Sequence, residues 1–243
     1  MQKSTKSLWI SFGILFATVQ TYSDLSKWRY ELVSNKHAGV FGLHFADINK
    51  DGIQEIIGKQ YIYSNTDEDL KDAWKQYEFG KGIDAIAQID VDGDDNVDII
   101  GGKCREIYWI ESQDGKMNSW TKKKVLDVPD ICNHSTLAQG YQSGQIIKGG
   151  PHEIVLTSRQ SGKGSVYLVA PPVQPGGDWQ LKVVSKESNG ESIALGDFDS
   201  DGDLDIYTGE LNIPAIFIEN VGGLSNPYWQ SISTSLVGDV GSR

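Results

Sequence analysis

Cysteine is scarce in this chain of 243 residues, with Cys104 and Cys132 the whole set. Two thiols build no disulfide framework, and their spacing matches no zinc-binding pattern. In an oxidising compartment they either pair or remain two buried thiols. Positive charge is also short, with 22 Lys and Arg against 33 Asp and Glu. A net charge of -11 disfavours nucleic acid and anionic lipid as partners and suits a protein that holds cations. Nucleophile elbows, phosphate-binding loops and dinucleotide fingerprints are missing. The stretch Gly162-Lys163-Gly164 is a hairpin-turn signal with no phosphate-loop pattern around it.

Long apolar runs are missing too, except at the start. Leu8 to Val19 is an apolar stretch too short to span a bilayer. Lys3 and Lys6 precede it and small residues follow, so residues 1–23 read as a secretory signal peptide with cleavage near Ser23. The expected location is secreted, extracellular or periplasmic, with no stable membrane span after cleavage. Loss of the two lysines leaves 20 basic against 33 acidic residues, about -13 in net charge. The sequon Asn133-His134-Ser135 matters only in a host that glycosylates.

What the chain has is glycine and aromatics. Twenty-seven glycines and 10% aromatic residues, at a mean hydropathy of -0.35, point to many short strands with turns around a real core.

A nine-residue pattern occurs three times: DINKDGIQE from Asp47, DVDGDDNVD from Asp90 and DFDSDGDLD from Asp197. Oxygen-bearing side chains fall at offsets 0, 2, 4 and 8. The sets are Asp47, Asn49, Asp51 and Glu55; Asp90, Asp92, Asp94 and Asp98; and Asp197, Asp199, Asp201 and Asp205. Carboxylates packed this closely repel one another in water. Alternating short acidic side chains on a tight loop is what a hard cation requires: three turn inward, a backbone carbonyl adds an oxygen, and the last carboxylate closes the shell. Oxygen donors without His or Cys point to Ca²⁺ at up to three sites. Gly52 and Gly202 permit the sharp turn, and Asp95 stands there in the second loop. Strand-like segments flank every loop, which excludes the helix-flanked EF-hand.

Trp28, Trp74, Trp120, Trp179 and Trp229 keep the same beat, at spacings of 46, 46, 59 and 50 residues. One unit reads strand, acidic loop, strand, strand, tryptophan strand, which is the signature of a propeller blade. Between the second and third loops, LAQGYQSGQIIKGGPHEIVLTS fills a further unit. Aligning its LAQG with IALG leaves four inserted residues and no carboxylate set, so this blade is expected to bind no calcium.

The chain resembles the FG-GAP/VCBS repeat family, whose members include integrin α-chains. The resemblance covers nearly all of residues 28–243 and implies an all-β β-propeller with calcium loops between the first two strands of a blade. The blades are expected at about 37–79, 80–128, 132–186 and 190–236. WRYELVS, from Trp28, reads as an outer strand of a closing blade. Two readings stay open: an incomplete or truncated part of a larger ring, commonly seven-bladed in that family, or a small closed ring with irregular ends. An open arc exposes an apolar blade face and unpaired edges and is expected to aggregate or dimerise.

Two function classes fit. A binding module engages a polysaccharide or a cell-surface protein, with surface aromatics stacking on sugars. Tyr61, Tyr63, Tyr108, Trp109, Tyr167 and Phe217 are the candidates, and packing between blades is their alternative role. An enzyme of the propeller polysaccharide-lyase type, similar to ulvan lyases, draws His134, Tyr141, His152 and Arg159 from the irregular third blade. His37 and His44 have less support.

Overall fold

The computed structural model describes residues 30–35, 43–66, 73–129, 141–146, 152–157, 164–188, 192–210, 213–222 and 228–233. The expected signal peptide, Trp28, His37, Cys132, His134 and Arg159 lie outside them. The chain divides into two units, Met1–Val33 and Ser34–Arg243, and the fold below is that of the second.

Sixteen strands form among the described residues, and no helix does. Four successive meanders result. The first sheet holds β1 (Leu43–Ala46), β2 (Glu55–Gly58), β3 (Tyr61–Ser64) and β4 (Lys75–Glu78). The second holds β5 (Asp84–Ile89), β6 (Asp98–Lys103), β7 (Glu106–Ser112) and β8 (Trp120–Asp127). The third holds β9 (Tyr141–Gly144), β10 (Glu153–Thr157), β11 (Gly164–Ala170) and β12 (Gln180–Ser188). The fourth holds β13 (Ser192–Gly196), β14 (Asp205–Glu210), β15 (Ile213–Asn220) and β16 (Trp229–Ser233). Every neighbour pair is antiparallel and joined in chain order, because each connection is short. The first strands touch in succession, β1 with β5, β5 with β9 and β9 with β13. This is the blade arrangement of a β-propeller, with the first strand of each blade innermost.

Strand composition explains the stacking. The central strands of each blade are nearly continuous apolar runs, such as Ile99, Ile100, Ile107 and Ile110, and are buried. Strands covered on both faces need that pattern. Three clusters lie between successive blades. Ile57, Ile62, Ile83, Ile99 and Ile110 join blades one and two. Ile100, Trp109, Ile154, Tyr167 and Val169 join blades two and three. Val155, Leu168, Ile206 and Ile218 join blades three and four. Each fully buried side chain contributes roughly 1.5–3 kcal/mol.

The tryptophan beat marks outer strands: Trp120 and Trp229 open β8 and β16, while Trp74 and Trp179 stand immediately before β4 and β12. WRYELVS departs from expectation, because its described part, residues 30–34, joins no ladder among the described residues. β propensity alone makes no strand without an edge to pair with. Cys104, at φ 56 in the β6–β7 turn, is disulfide-bonded, and Cys132 is the chain's one other cysteine.

The third blade corrects the alignment. β9 is YQSG, residues 141–144, and LAQG lies four residues upstream, outside the described residues. Gly144 pairs with Glu153 as Ala46 pairs with Glu55, Ile89 with Asp98 and Gly196 with Asp205. The connection therefore has the same length in all four blades, with no insertion. Residue-type similarity favoured LAQG, but the ladder is set by which strand completes the inner face.

Gly101 in β6 shows how tightly blade two is packed within itself. A Cβ there would lie 2.4 Å from Ile83 Cγ2 and 3.3 Å from Ile110 Cδ1. Gly101→Ala is expected to destabilise the fold by about 1–3 kcal/mol through overpacking. Gly209→Ala in β14, where nothing lies within 4 Å of the added carbon, is expected to stay within about 0.5 kcal/mol of wild type. Denaturant midpoints of the two variants check the contrast.

Candidate metal centre

Each acidic loop is organised by its own first aspartate. Asp47 Oδ1 and Oδ2 accept the amides of Asp51 and Gly52 at 3.1 and 3.0 Å. Asp197 accepts those of Asp201 and Gly202 at 3.1 Å each. Asp90 accepts the amides of Gly93, Asp94 and Asp95 at 2.8, 3.2 and 2.9 Å. The third acidic residue accepts the amide two residues on, at Ile53, Asn96 and Asp203. Short side chains bonding their own backbone curl the loop and turn the carboxylates inward.

Positive φ occurs at two offsets in all three loops. Gly52, Asp95 and Gly202 have φ of 88, 67 and 101 degrees, at the turn position expected from sequence. Lys50, Gly93 and Ser200, with φ of 59, 78 and 67 degrees, form a second such position. Lys and Ser carry no signal for that conformation, so this turn was not legible in sequence.

Two clusters result that can hold a metal ion. Oxygens of Asp90, Asp92 and Asp94 all lie within 4.8 Å of one another, as do those of Asp197, Asp199 and Asp205. At such separations each charge pair costs on the order of 3 kcal/mol at an effective dielectric near 20. Asp92 Oδ1 and Asp203 Oδ1 are buried with no hydrogen-bond partner. A buried carboxylate oxygen without a donor is a group that a cation satisfies. The donors are all oxygen, so the residues present fit a hard divalent ion.

The other expected ligands stand outside the two clusters. Asp98 is fully buried and accepts from the Val91 amide, Trp109 Nε1 and the Ser112 amide at 3.1, 2.8 and 2.8 Å. Asp201 lies beside the third-loop cluster, its amide bonded to Asp197 and Asp199. In the first loop Asn49 Nδ2 donates to Asp51 Oδ2 at 2.8 Å. Asp47, Asp51 and Glu55 form no third acidic cluster among the described residues. Asp203 is an addition, and its place among four other aspartates was readable from the sequence as the acidic residue at offset 6.

Glu153 is the residue that sequence reasoning missed. It is fully buried, and its Oε2 accepts the Ile146 amide at 2.8 Å. Glu55 accepts from Ile48 at 2.8 Å, Asp98 from Val91 and Asp205 from Phe198 at 3.0 Å. In all four blades the donor lies seven residues before the acid. The third blade carries Gln145, Ile147 and Gly149 where the others carry their first three oxygen-bearing side chains, so it keeps the closing carboxylate and lacks the rest. An acid eight residues after Gln145 was the available signal, hidden by the four-residue misalignment.

Burial raises the pKa of several of these groups. Asp98 is pushed up to about 6 by desolvation, against the opposing hydrogen bonds from Ser112, Trp109 and Val91. Asp203 is also pushed up to about 6, by desolvation first and then by the charges of Asp201, Asp205, Asp199 and Asp197. Glu55 is raised by desolvation, with the Ile48 amide opposing.

Of the four catalytic candidates, only Tyr141 and His152 lie among the described residues. His152 is exposed at the start of β10, and Tyr141 opposes Leu156 four residues along, roughly 13 Å away at strand rise. Tyr141 meets His44 instead. His44 Nε2 and Tyr141 Oη are 3.1 Å apart, and the rings stack at 5.5 Å between centroids. The pair joins the innermost strands of blades one and three. Burial lowers the His44 pKa, and burial, with the charge of Asp84 second, pushes Tyr141 up to about 12. Of the aromatics considered for sugar stacking, Trp109 and Tyr167 are buried between blades two and three, so packing is their role, and Tyr63 is buried opposite Ile56 in blade one.

No protein-family model matches the chain, and no curated protein does. Among solved structures it is similar to an Agrocybe aegerita lectin described as recognising non-reducing terminal N-acetylglucosamine. The identity is 16% and the TM-score 0.37, over 79% of this chain and 66% of that one.

A carboxylate whose pKa is raised by folding stabilises the native state at low pH and loses that contribution as pH rises through the folded value. For Asp98 and Asp203 the window runs from about 4 to about 6. Metal-free protein is therefore expected to melt higher near pH 5 than near pH 8, at roughly constant ionic strength. A thermal melt in chelator that is flat or rising over that interval contradicts the burial argument.

Proposed function

We propose that this chain is a secreted, extracellular or periplasmic calcium-binding β-propeller that serves as a binding module for a polysaccharide or a cell-surface protein. The observation that carries the reading is the pair of acidic clusters, with a buried, unpartnered carboxylate oxygen on Asp92 in one and on Asp203 in the loop of the other. Calcium is the ion these donors suit, because they are hard, numerous and on flexible loops. Asp90, Asp92 and Asp94 hold one ion and Asp197, Asp199 and Asp205 another. Asp98 and Asp201 stand beside them, and Asp47, Asn49, Asp51 and Glu55 supply a weaker third site. Bound calcium neutralises the carboxylate repulsion and pins the connection between the first two strands of a blade. Its contribution is stability, about 2.7 kcal/mol per site at a hundredfold excess over Kd. The resemblance to FG-GAP/VCBS repeats supports the same reading, and the module presents its partner with loops held by a rigid scaffold.

A second reading has one specific observation behind it, the His44–Tyr141 pair. A polysaccharide lyase needs a base to take the C5 proton of a uronate. The new electron pair forms the C4–C5 double bond, the C4–O bond breaks, and the departing oxygen takes a proton from an acid. A neutral imidazole beside a protonated phenol supplies both groups.

Titration calorimetry of chelator-treated protein is expected to show calcium uptake at the two clusters, with Asp92→Asn removing one site and Asp199→Asn the other. No uptake, or uptake indifferent to both changes, rejects the calcium assignment. Retention on a panel of anionic and neutral polysaccharides without product favours the binding module. Absorbance at about 235 nm from unsaturated uronate, lost in His44→Ala and in Tyr141→Phe, favours the lyase.

A further inference from the structure

The carboxylates that close the second and third acidic loops are held differently. Asp205 accepts the Phe198 amide on Oδ2 and the Asn220 amide on Oδ1, at 3.0 and 2.9 Å. One of its oxygens lies in the cluster with Asp197 and Asp199. Asp98 accepts the matching amides of Val91 on Oδ2 and Ser112 on Oδ1, and the Trp109 indole N–H reaches Oδ2 as well, at 2.8 Å. Asp98 is not a member of the cluster of Asp90, Asp92 and Asp94. The added indole donor separates the closing acid that stands outside its cluster from the one that joins it.

That donor comes from a single register position in the third strand, paired with the second residue after the closing carboxylate. Trp109 pairs with Ile100 there, Ile62 with Ile57, Leu168 with Val155 and Phe217 with Tyr207. Of these four side chains only the indole carries a hydrogen-bond donor. It is held firmly in place. Trp109 is 9% exposed and packs with Ile154 and Tyr167, and Lys123 Nζ lies 5.7 Å from its ring centroid. A buried indole N–H keeps its acceptor, because leaving it unpaired costs free energy. The residue at offset 6 widens the contrast. Asn96 in the second loop donates Nδ2 to Asp94 Oδ2 at 2.8 Å, whereas Asp203 in the third brings a buried oxygen with no partner. The second loop answers its acids with internal donors, and the third leaves them to a cation.

We propose that Trp109 is a positioning residue whose indole holds Asp98 out of the second calcium site, so that this site is the weaker of the two and fills after the third. The second site then binds through Asp90, Asp92 and Asp94 without its closing carboxylate. Affinity for a hard cation follows the number of charged ligands, and donors bonded to those ligands shift it by about ten- to a hundredfold. The inference rests on calcium as the ion of both clusters and adds the order in which they fill.

The test is calcium titration of the chelator-treated full chain by calorimetry, with Asp92→Asn and Asp199→Asn assigning each binding event to its loop. Wild type is expected to bind at least about tenfold more tightly at the third loop than at the second. Trp109→Phe keeps a ring and removes the N–H, and is expected to tighten the second-loop site about tenfold while leaving the third unchanged. Phe217→Trp, at a half-buried position, offers Asp205 an indole and is expected to weaken the third-loop site alone. Lost packing does not tighten a site, so a gain confined to one loop separates positioning from a structural role. Circular dichroism checks the fold of both variants, and the wild-type order decides the question where either fails to fold. Equal wild-type affinities, or a second loop that fills first, overturn the proposal. A folded Trp109→Phe protein with an unchanged or weaker second site overturns it too, and a folded Phe217→Trp protein with an unweakened third site overturns the assignment to this register position. In all these results calcium uptake persists and the calcium reading stands, whereas no uptake at either cluster rejects both.

Discussion

A buried carboxylate accepting the amide seven residues before it is the constraint on which the rest of the blade depends. Glu55, Asp98, Glu153 and Asp205 each sit at the first position of a second strand and reach back to close the loop that precedes it. Asp98 and Asp205 also accept an amide from the end of the third strand, at Ser112 and Asn220. One side chain thus ties the loop to two strands. An ionised group at zero exposure is tolerated only when such donors surround it. The third blade separates this role from cation binding, since Glu153 keeps the bond where the neighbouring loop acids are gone.

Two demands meet in the loops that start at Asp90 and Asp197. The backbone amides converge on the first and third aspartates, which fixes the turn. The same geometry crowds three carboxylates within 4.8 Å and leaves Asp92 and Asp203 each with a buried oxygen unmatched by any donor. Folding alone satisfies the amides and leaves the acids in conflict. The elevated pKa of Asp98 and Asp203 comes first from burial, with the neighbouring carboxylates adding to it.

Stacking polarity is a second consequence of the carboxylate's position. Because it starts the second strand, the next residue points to one face and the one after it to the other, with period two. Where blades meet, the first face looks backward along the chain and the second forward. This alternation gives four similar units a direction.

The repeat, the all-β class and the acidic turns were legible because they are local. Offsets of 2, 4 and 8 within nine residues encode a turn chemistry that needs no distant partner. The third blade's register was not legible: YQSG has no apolar alternation to announce it, and its place follows from pairing with β10. The turn at Lys50 and Ser200 and the His44–Tyr141 contact, 97 residues apart, were equally hidden. Residue type and spacing settled what each loop is made of, since a carboxylate's reach is a few ångströms along its own chain. Which carboxylate is buried, which face of a blade meets its neighbour and which histidine finds a tyrosine were settled by packing, because burial and long-range pairing exist only once the blades stand side by side.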